Sequence, residues 1–482
     1  MKLIYNVSDK PKFGQLIVFA IQQLLAIMTA TLVVPVIIGN GMSPAAALFG
    51  AGIGTLIYVL FTAKKSPVFL GSSFAFIGSM QAAFAGAVSV QVGYAGLIIG
   101  AIFAGLVYVI IALIVKFVGV GWINKLMPAV VIGPTVAIIG LSLAVNAIDD
   151  MMKGNVTKEV AEWIFKTAED GSLVLANGVP VPVENVSDVA VASPLITILC
   201  GVFTLIVTVL CSTYGKKYGK LIPFIFGIVG GYAIASVFTA IGFAAEIDAL
   251  KVIDFSPLTN LVADGITVNS FVSVPDFTFV TAFKGVSEIT PAYIGTIAMA
   301  YTPVAFVVFA EHIADHKNIS SIIEKDLLEE PGLHRTLLGD GVGSIAGALF
   351  GGCPNTTYGE SVGCVAITKN ASVYTIITAA VLAIVISFLS PFIAFVNSIP
   401  SCVMGGVCMA LYGFIAVSGL KMVQTVDLNQ NKNLFVVSTI LIAGIGGLTL
   451  NFGKIQITSI ACALILGIIV NLLLKNAKDE EA

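Results

Sequence analysis

Residues 353–361 read CPNTTYGES, with apolar, small-residue sequence on both sides. Pro354, Asn355, Thr356 and Thr357 interrupt a helix, and a carboxylate, Glu360, follows the break. The surrounding chain is that of a membrane protein. Of its 482 residues, 57% are hydrophobic and 11% charged, and the mean hydropathy is +1.02. A soluble chain of this length needs far more charge to cover its surface. Apolar runs lie at 15–38, 45–62, 95–115, 126–147, 193–211, 221–245, 373–396, 433–449 and 455–474. Most reach or exceed the ~20 residues that span a bilayer as a helix. They do not alternate, which excludes a β-barrel. The expectation is an all-α polytopic membrane protein with a broken backbone and an acid at membrane depth.

Unpaired backbone is costly in hydrocarbon, so such a break must be buried in protein or line a cavity. A second break lies at 66–79, SPVFLGSSFAFIGS, and echoes 351–363, GGCPNTTYGESVG. Each has a turn former, two hydroxyl residues, an aromatic, then a helix-like run containing glycine. Ser72-Ser73-Phe74 falls in the first half of the chain and Thr356-Thr357-Tyr358 in the second. That placement predicts an inverted repeat with a binding site between two half-helices near the midplane. At each break an extended piece leads into a helix amino terminus, which presents free N–H groups and a partial positive charge. Phe74 and Gly359 are the candidate backbone donors. The competing reading is that the hydroxyls and glycines serve only close helix packing.

Lysine sets the orientation. With the amino terminus inside, 18 of the 24 Lys and Arg fall on the cytoplasmic side, leaving Lys153, Lys158, Lys166, Lys251, Lys284 and Lys454 outside. Both termini are then cytoplasmic, which requires an even number of spans; hydropathy alone supports 12 to 14. The long connections 148–192 and 246–288 are extracytoplasmic. Within the first, VAEWIFKTAED (160–170) reads as a short surface helix, and VLANGVPVPV (174–183) as a turn at Asn177-Gly178 between extended pieces. The first apolar run is too long for a signal-peptide core and is read as a retained span. The seven cysteines sit in or beside apolar runs as small hydrophobes.

Few acids fall in the spans. Glu311 ends IAMAYTPVAFVVFA (297–310), Asp315 follows one turn later on the same helix face, Glu360 follows the second break, and Asp340 lies in LLGDGVGSIAGALF. A carboxylate in lipid must face a cavity, find a partner or bind a proton, and intramembrane acids are functional by default. Asp315 has two readings, a site acid or a solvated residue at a cytoplasmic helix end. Asp340 reads as serving packing or a local hydrogen bond. His312, His316 and His334 do not form a zinc site, since His312 and His316 are not in an HExxH pattern and no further ligand is evident. No metal, cofactor, nucleic-acid or enzymatic constellation is expected. Two carboxylates, two backbone donors and the rings of Phe74, Tyr358 and Tyr412 fit a planar ring with alternating N–H and C=O groups.

LGSSFAFI (70–77), AEHI (310–313), KDLLEEPGLHR (325–335), PNTTYGE (354–360) and VMGGVCMALYG (403–413) resemble the nucleobase–ascorbate transporter family, also called nucleobase:cation symporter-2, and within it the bacterial uracil permeases. The likeness runs from about residue 14 to 474. It implies 14 transmembrane segments as a 7+7 inverted repeat, with short strands at the starts of segments 3 and 10. It also implies one transporter domain over 1–482, with a core at about 14–116 and 289–396 and a gate at about 126–245 and 400–474. By position, Glu311 and Glu360 would bind the ring and the backbone of Phe74 and Gly359 would meet its carbonyls. Ala30, Tyr358 and Tyr412 would line the pocket, with Ser73 beside Phe74 in the substrate-binding set. Proton coupling would rest on Glu311, Glu360 and Asp315. The function implied is import of uracil by symport with H+ rather than Na+, across the cell (inner) membrane, often by a homodimer. The alternatives are a xanthine or uric acid permease of the same family, or an anion exchanger or channel of similar architecture. Two departures stand out. Ser361 replaces the family's asparagine, and Asp315 stands where uracil permeases carry histidine.

Overall fold

A computed structural model of the chain describes residues 3–119, 122, 128–165, 175–176, 179–180, 182–216, 219, 222–263, 265–452 and 455–476. It opens with α1 (Phe13–Ile38) and α2 (Pro44–Phe61), then β1 (Leu70–Ser72), a 3-10 turn at Phe74–Phe76, α3 (Ile77–Ala85) and α4 (Val90–Val118). Next come α5 (Ala129–Ser142), α6 (Ala144–Met151), β2 (Thr157–Phe165), β3 (Leu175–Ala176), β4 (Val179–Pro180) and β5 (Pro182–Ala190). They are followed by α7 (Pro194–Tyr214), α8 (Pro223–Ala244) and the short α9 (Ser256–Thr259) and α10 (Thr278–Gly285). The second half holds α11 (Pro291–Ile323), α12 (Leu333–Gly351), β6 (Asn355–Thr357), α13 (Gly359–Thr368), α14 (Val373–Ile386), α15 (Ser390–Ser398), α16 (Ser401–Val423), α17 (Asn431–Ile445), β7 (Leu450–Phe452), β8 (Ile455–Ile457) and α18 (Ser459–Leu473).

Among the described residues, eight helical stretches are long and apolar enough to cross a membrane, four of them α1, α2, α4 and the continuous α5–α6, and four α7, α8, α11 and α16. Their starts are set locally. Ser43 caps α2 by accepting from Ala46 N–H at 3.2 Å, with Pro44 at the first helical position. Thr290 caps α11 by accepting from Tyr293 N–H at 3.2 Å, again followed by proline.

Packing falls into two groups. One joins α1, α2, α3 and α4 to α11–α14; the other joins α5–α8 to α16–α18. In the first group, α2 lies backbone to backbone on α12. A Cβ built on Gly50 would sit 2.6 Å from Gly347 O, and one on Gly54 would sit 2.8 Å from Gly343 O and strike the Asn355 amide. Both helices therefore carry a small-xxx-small stripe at their contact. These glycines lie outside the two breaks and serve close helix packing.

The 148–192 connection departs from expectation. Residues 157–165 form β2, paired antiparallel with β5 from Thr157↔Ala190 to Phe165↔Pro182, so no helix starts at Val160. Val160, Trp163, Ile164 and Phe165 are strand formers, and their partner strand is supplied more than 15 residues away. Residues 166–170, the other half of that expected helix, lie outside the described residues, as do Asn177 and Gly178, where the turn is expected; β3 (Leu175–Ala176) and β4 (Val179–Pro180) pair antiparallel.

Close packing at the α2–α12 contact is testable. Gly347→Val should collapse the yield of monodisperse protein, because its side chain meets Asn355 with no room to shift. Size-exclusion chromatography of a fluorescent fusion checks this, with Gly78→Val, which meets open space, as the control.

Candidate functional site

The two breaks meet. β1 and β6 run antiparallel, with Leu70 opposite Thr357, Gly71 opposite Thr356 and Ser72 opposite Asn355. All six residues are buried. Ser73 N–H donates to Pro354 O at 2.9 Å and Tyr358 N–H to Phe69 O at 3.3 Å, extending the pairing at both ends. Side chains take up other backbone groups: Leu70 N–H donates to Thr55 Oγ1 at 2.9 Å, and Ser344 Oγ donates to Asn355 O at 2.7 Å. The non-helical backbone is thus bonded inside protein, as depth in a membrane demands.

Each strand releases a short helix. Phe74 and Gly359 are the first residues of theirs, so their N–H groups have no intrahelical acceptor. Gly359 is exposed although Tyr358 before it is buried, and the nearest atom to a Cβ built there is Asp315 Oδ1 at 3.7 Å. Glu311 and Asp315 reach the same place from α11.

These groups border a cavity of about 340 Å³, within the ordinary range for small-molecule sites. Glu311, Asp315, Gly359 and Glu360 line it, together with Asn318, Gly363 and Ala26 from the first helix group. The second group supplies Phe224 from α8, Ser212 from α7, and Leu411, Phe414, Ile415, Ser418 and Met422 from α16. Glu311 and Glu360 are both half-buried, and among the described residues no other side chain pairs with either carboxylate. Asp315 differs. It is 7% exposed and accepts from Thr357 Oγ1 at 2.9 Å, so it belongs to the site and is not a solvated helix end.

The remaining expected residues lie outside the cavity lining. Tyr358 turns into the strand crossing, where its hydroxyl donates to Ser72 O at 2.7 Å and its ring covers Gly71. Ala30 is buried one turn along α1 from Ala26, which lines the cavity in its stead. Ser73 is buried at the end of the strand pair, its hydroxyl unpartnered. Phe74 and Tyr412 pack edge to face, centroids 5.9 Å apart, as a contact between the two helix groups. The flat faces at the cavity belong instead to Phe224 and Phe414, themselves edge to face at 5.9 Å. On α16 the lining positions 411, 414, 415, 418 and 422 repeat at helical spacing, which marks one face of the helix but not what lies opposite it.

Ser361, the first departure from the family pattern, is fully buried. Its Oγ accepts from the Gln23 side chain at 2.5 Å and from Phe69 N–H at 2.9 Å. It therefore ties the first turn of α13 to α1 and to the residue leading into β1. Gln23 had no role in the sequence reading, since a lone amide in α1 gives no sign of its partner.

The fold defines a multi-pass helical membrane protein with a cavity between two helix groups. A family model described as "Permease family" matches residues 14–177 and 172–453, and the chain belongs to that family. The uracil permease of Bacillus subtilis (strain 168) is 36% identical over 485 residues, covering 100% of this chain and 97% of that protein. The uracil permease of Escherichia coli (strain K12) is 33% identical over 472 residues, covering 98% and 94%. Among solved structures, the transmembrane domain of a cyanobacterium bicarbonate transporter, BicA, shares the fold at a TM-score of 0.58 and 14% identity, covering 97% of this chain and all of that one.

Ser361→Ala should lower stability by about 1–3 kcal/mol, since it strips the acceptor from a buried N–H and a buried amide. Thermal unfolding in detergent measures the loss.

Proposed function

We propose that the chain imports uracil by proton-coupled symport. The reading is carried by one observation: two carboxylates without side-chain partners, Glu311 and Glu360, share a cavity of about 340 Å³ with the free start of a half-helix at Gly359. A uracil ring offers two N–H groups and two carbonyls. The carboxylates accept from the N–H groups, and the Gly359 N–H donates to a carbonyl. Phe224 and Phe414 flank the ring with apolar surface. An anion suits the site poorly, because Glu360 occupies the half-helix start where an anion would bind. The full-length likeness to uracil permeases supports the same substrate.

In this reading the chain carries 14 segments as two inverted sevens. The group of α1–α4 and α11–α14 is the core that carries the ligand, and the group of α5–α8 and α16–α18 is the gate against which it moves. The cavity runs from the carboxylates to the C-terminal ends of α11 and α13, near Asn318 and Ile367, beside Lys317 and Lys369. With lysines facing the cytoplasm, this is an inward-open state, and both termini lie inside. The Phe74–Tyr412 contact then closes the opposite side. Proton binding falls to Glu311, Glu360 and Asp315, because charged acids cannot cross empty as the core moves. Coupling to H+ needs no cation cage, and the assembly is a homodimer in the cell membrane.

Radiolabelled uracil uptake into proteoliposomes tests the reading, with and without an inward proton gradient and with excess unlabelled xanthine. The expected result is gradient-driven uptake that xanthine does not compete away. Glu360→Gln should cut it by more than about tenfold, since the amide keeps the shape but cannot exchange a proton. Full competition by xanthine would move the substrate to purines, and unchanged uptake by Glu360→Gln would sink the coupling role.

A further inference from the structure

The buried back of α11 carries two histidines that the transport site does not use. His312 and His316 sit one position after Glu311 and Asp315, about 100° round the helix, and are both fully buried. Their rings stack with centroids 4.0 Å apart. His312 Nδ1 is 2.7 Å from Asp340 Oδ2 and its Nε2 is 3.0 Å from Thr336 Oγ1, both on α12. His316 Nδ1 is 2.7 Å from the carbonyl of His312, and its Nε2 is 2.6 Å from the Tyr58 hydroxyl on α2.

The partners fix the protons. A carbonyl only accepts, so His316 donates Nδ1–H to it, and its Nε2 faces the Tyr58 hydroxyl, whose proton also has Ser66 Oγ at 2.7 Å as an acceptor; among the described residues no carboxylate is hydrogen-bonded to His316. The Thr336 hydroxyl donates to Leu333 O at 3.0 Å, so His312 presents N–H at Nε2. That leaves Nδ1 as the acceptor facing Asp340, which is also fully buried and whose other oxygen has no partner. An ionised Asp340 would strand charge on that bare oxygen. The other ionisable groups around the pair are Tyr58 from α2, Tyr108 from α4, and Glu311 and Asp315 from α11 itself.

We infer that His312 and Asp340 form a neutral pair sharing one proton, and that this pair, with His316 and Tyr58, is the positioning device that holds α11 so that Glu311 and Asp315 face the cavity. The inference rests on the proposed role of those acids as the ligand and proton groups. The pair is a lock rather than a proton wire. The link from His312 to His316 passes through a peptide carbonyl, which has no proton to hand on. Thr356 Oγ1 stands 3.5 Å from Asp340, at the limit of a hydrogen bond.

A lock and a wire respond oppositely to Asp340→Asn. The amide donates N–H to Nδ1 where the acid donated O–H, but it releases no proton. Gradient-driven uracil uptake by Asp340→Asn should therefore keep kcat and KM within about threefold of the parent. His312→Leu should lower kcat/KM by more than about tenfold, by leaving Asp340 without a partner, and His312→Asn, which retains an acceptor near Nδ1, should recover part of the loss. Equilibrium binding of labelled uracil and a size-exclusion profile accompany each variant. A folded Asp340→Asn protein that binds uracil but has lost gradient-driven uptake would overturn the lock and make Asp340 a proton carrier. A failure of the parent protein to bind uracil at all would instead count against the proposed function and leave the pair to be judged by folding and by the His312→Leu and His312→Asn difference.

Discussion

Everything in this molecule depends on one requirement: a backbone that leaves the helix in hydrocarbon must find all its hydrogen bonds within the protein. Six residues meet it by pairing across two distant parts of the chain, with Leu70–Ser72 against Asn355–Thr357. So short a ladder would not hold alone. It is held because its surroundings are equally constrained. Gly71 leaves room for the Tyr358 ring, and Asn355 Nδ2 donates to Gly50 O at 3.0 Å between the glycine stripes of α2 and α12. The glycines that look like packing residues and the strands that look like a site are thus one construction.

From that crossing the geometry of the site follows. The two strands run antiparallel, and each leads directly into a half-helix, one starting at Phe74 and the other at Gly359. Only Gly359 opens on the present cavity, whereas Phe74 sits against Tyr412 at the boundary of the two helix groups. α11 is the third element. Its acids face the cavity and its histidines face α12 and α2, and the two functions are separable because adjacent helical residues diverge by about 100°.

How far the sequence foretold this varies with the range of the interaction. The breaks were legible because proline and hydroxyl residues stand out in an apolar run, and the acids because charge is rare there. Both are local signals. An aromatic beside a break, such as Tyr358, fits a pocket wall or a strand crossing equally well in the sequence, and in the structure its ring lies against Gly71. Phe224 and Phe414 were missed because nothing in α8 or α16 says that the other group's acids lie opposite. The sequence of 160–170 reads as a helix, whereas 157–165 form a strand, because the partner strand arrives only at 182–190. α12, with Arg335, Asp340 and four internal glycines, is not among the eight stretches apolar enough to span, and its polar residues Thr336, Asp340 and Ser344 face His312 and Asn355.

The two departures from the family pattern acquire a physical sense in this setting. At 361 the need is for an acceptor that reaches Phe69 N–H, and a serine hydroxyl in the first turn of α13 supplies it with Gln23 as second donor. At 315 an acid stands where the resemblance leads one to expect an imidazole. Thr357 donates to it from the end of β6, so the carboxylate is anchored to the same strand that launches Gly359 and Glu360. A neutral imidazole in that place would have to accept at one nitrogen and would keep a proton on the other. A carboxylate offers acceptors alone, so when it binds a proton it changes from acceptor to donor at the cavity wall, within the same strand-anchored unit as Glu360. An acid at 315 therefore gives Thr357 an acceptor, and in the proposed symport it would alter the way in which the site takes up a proton.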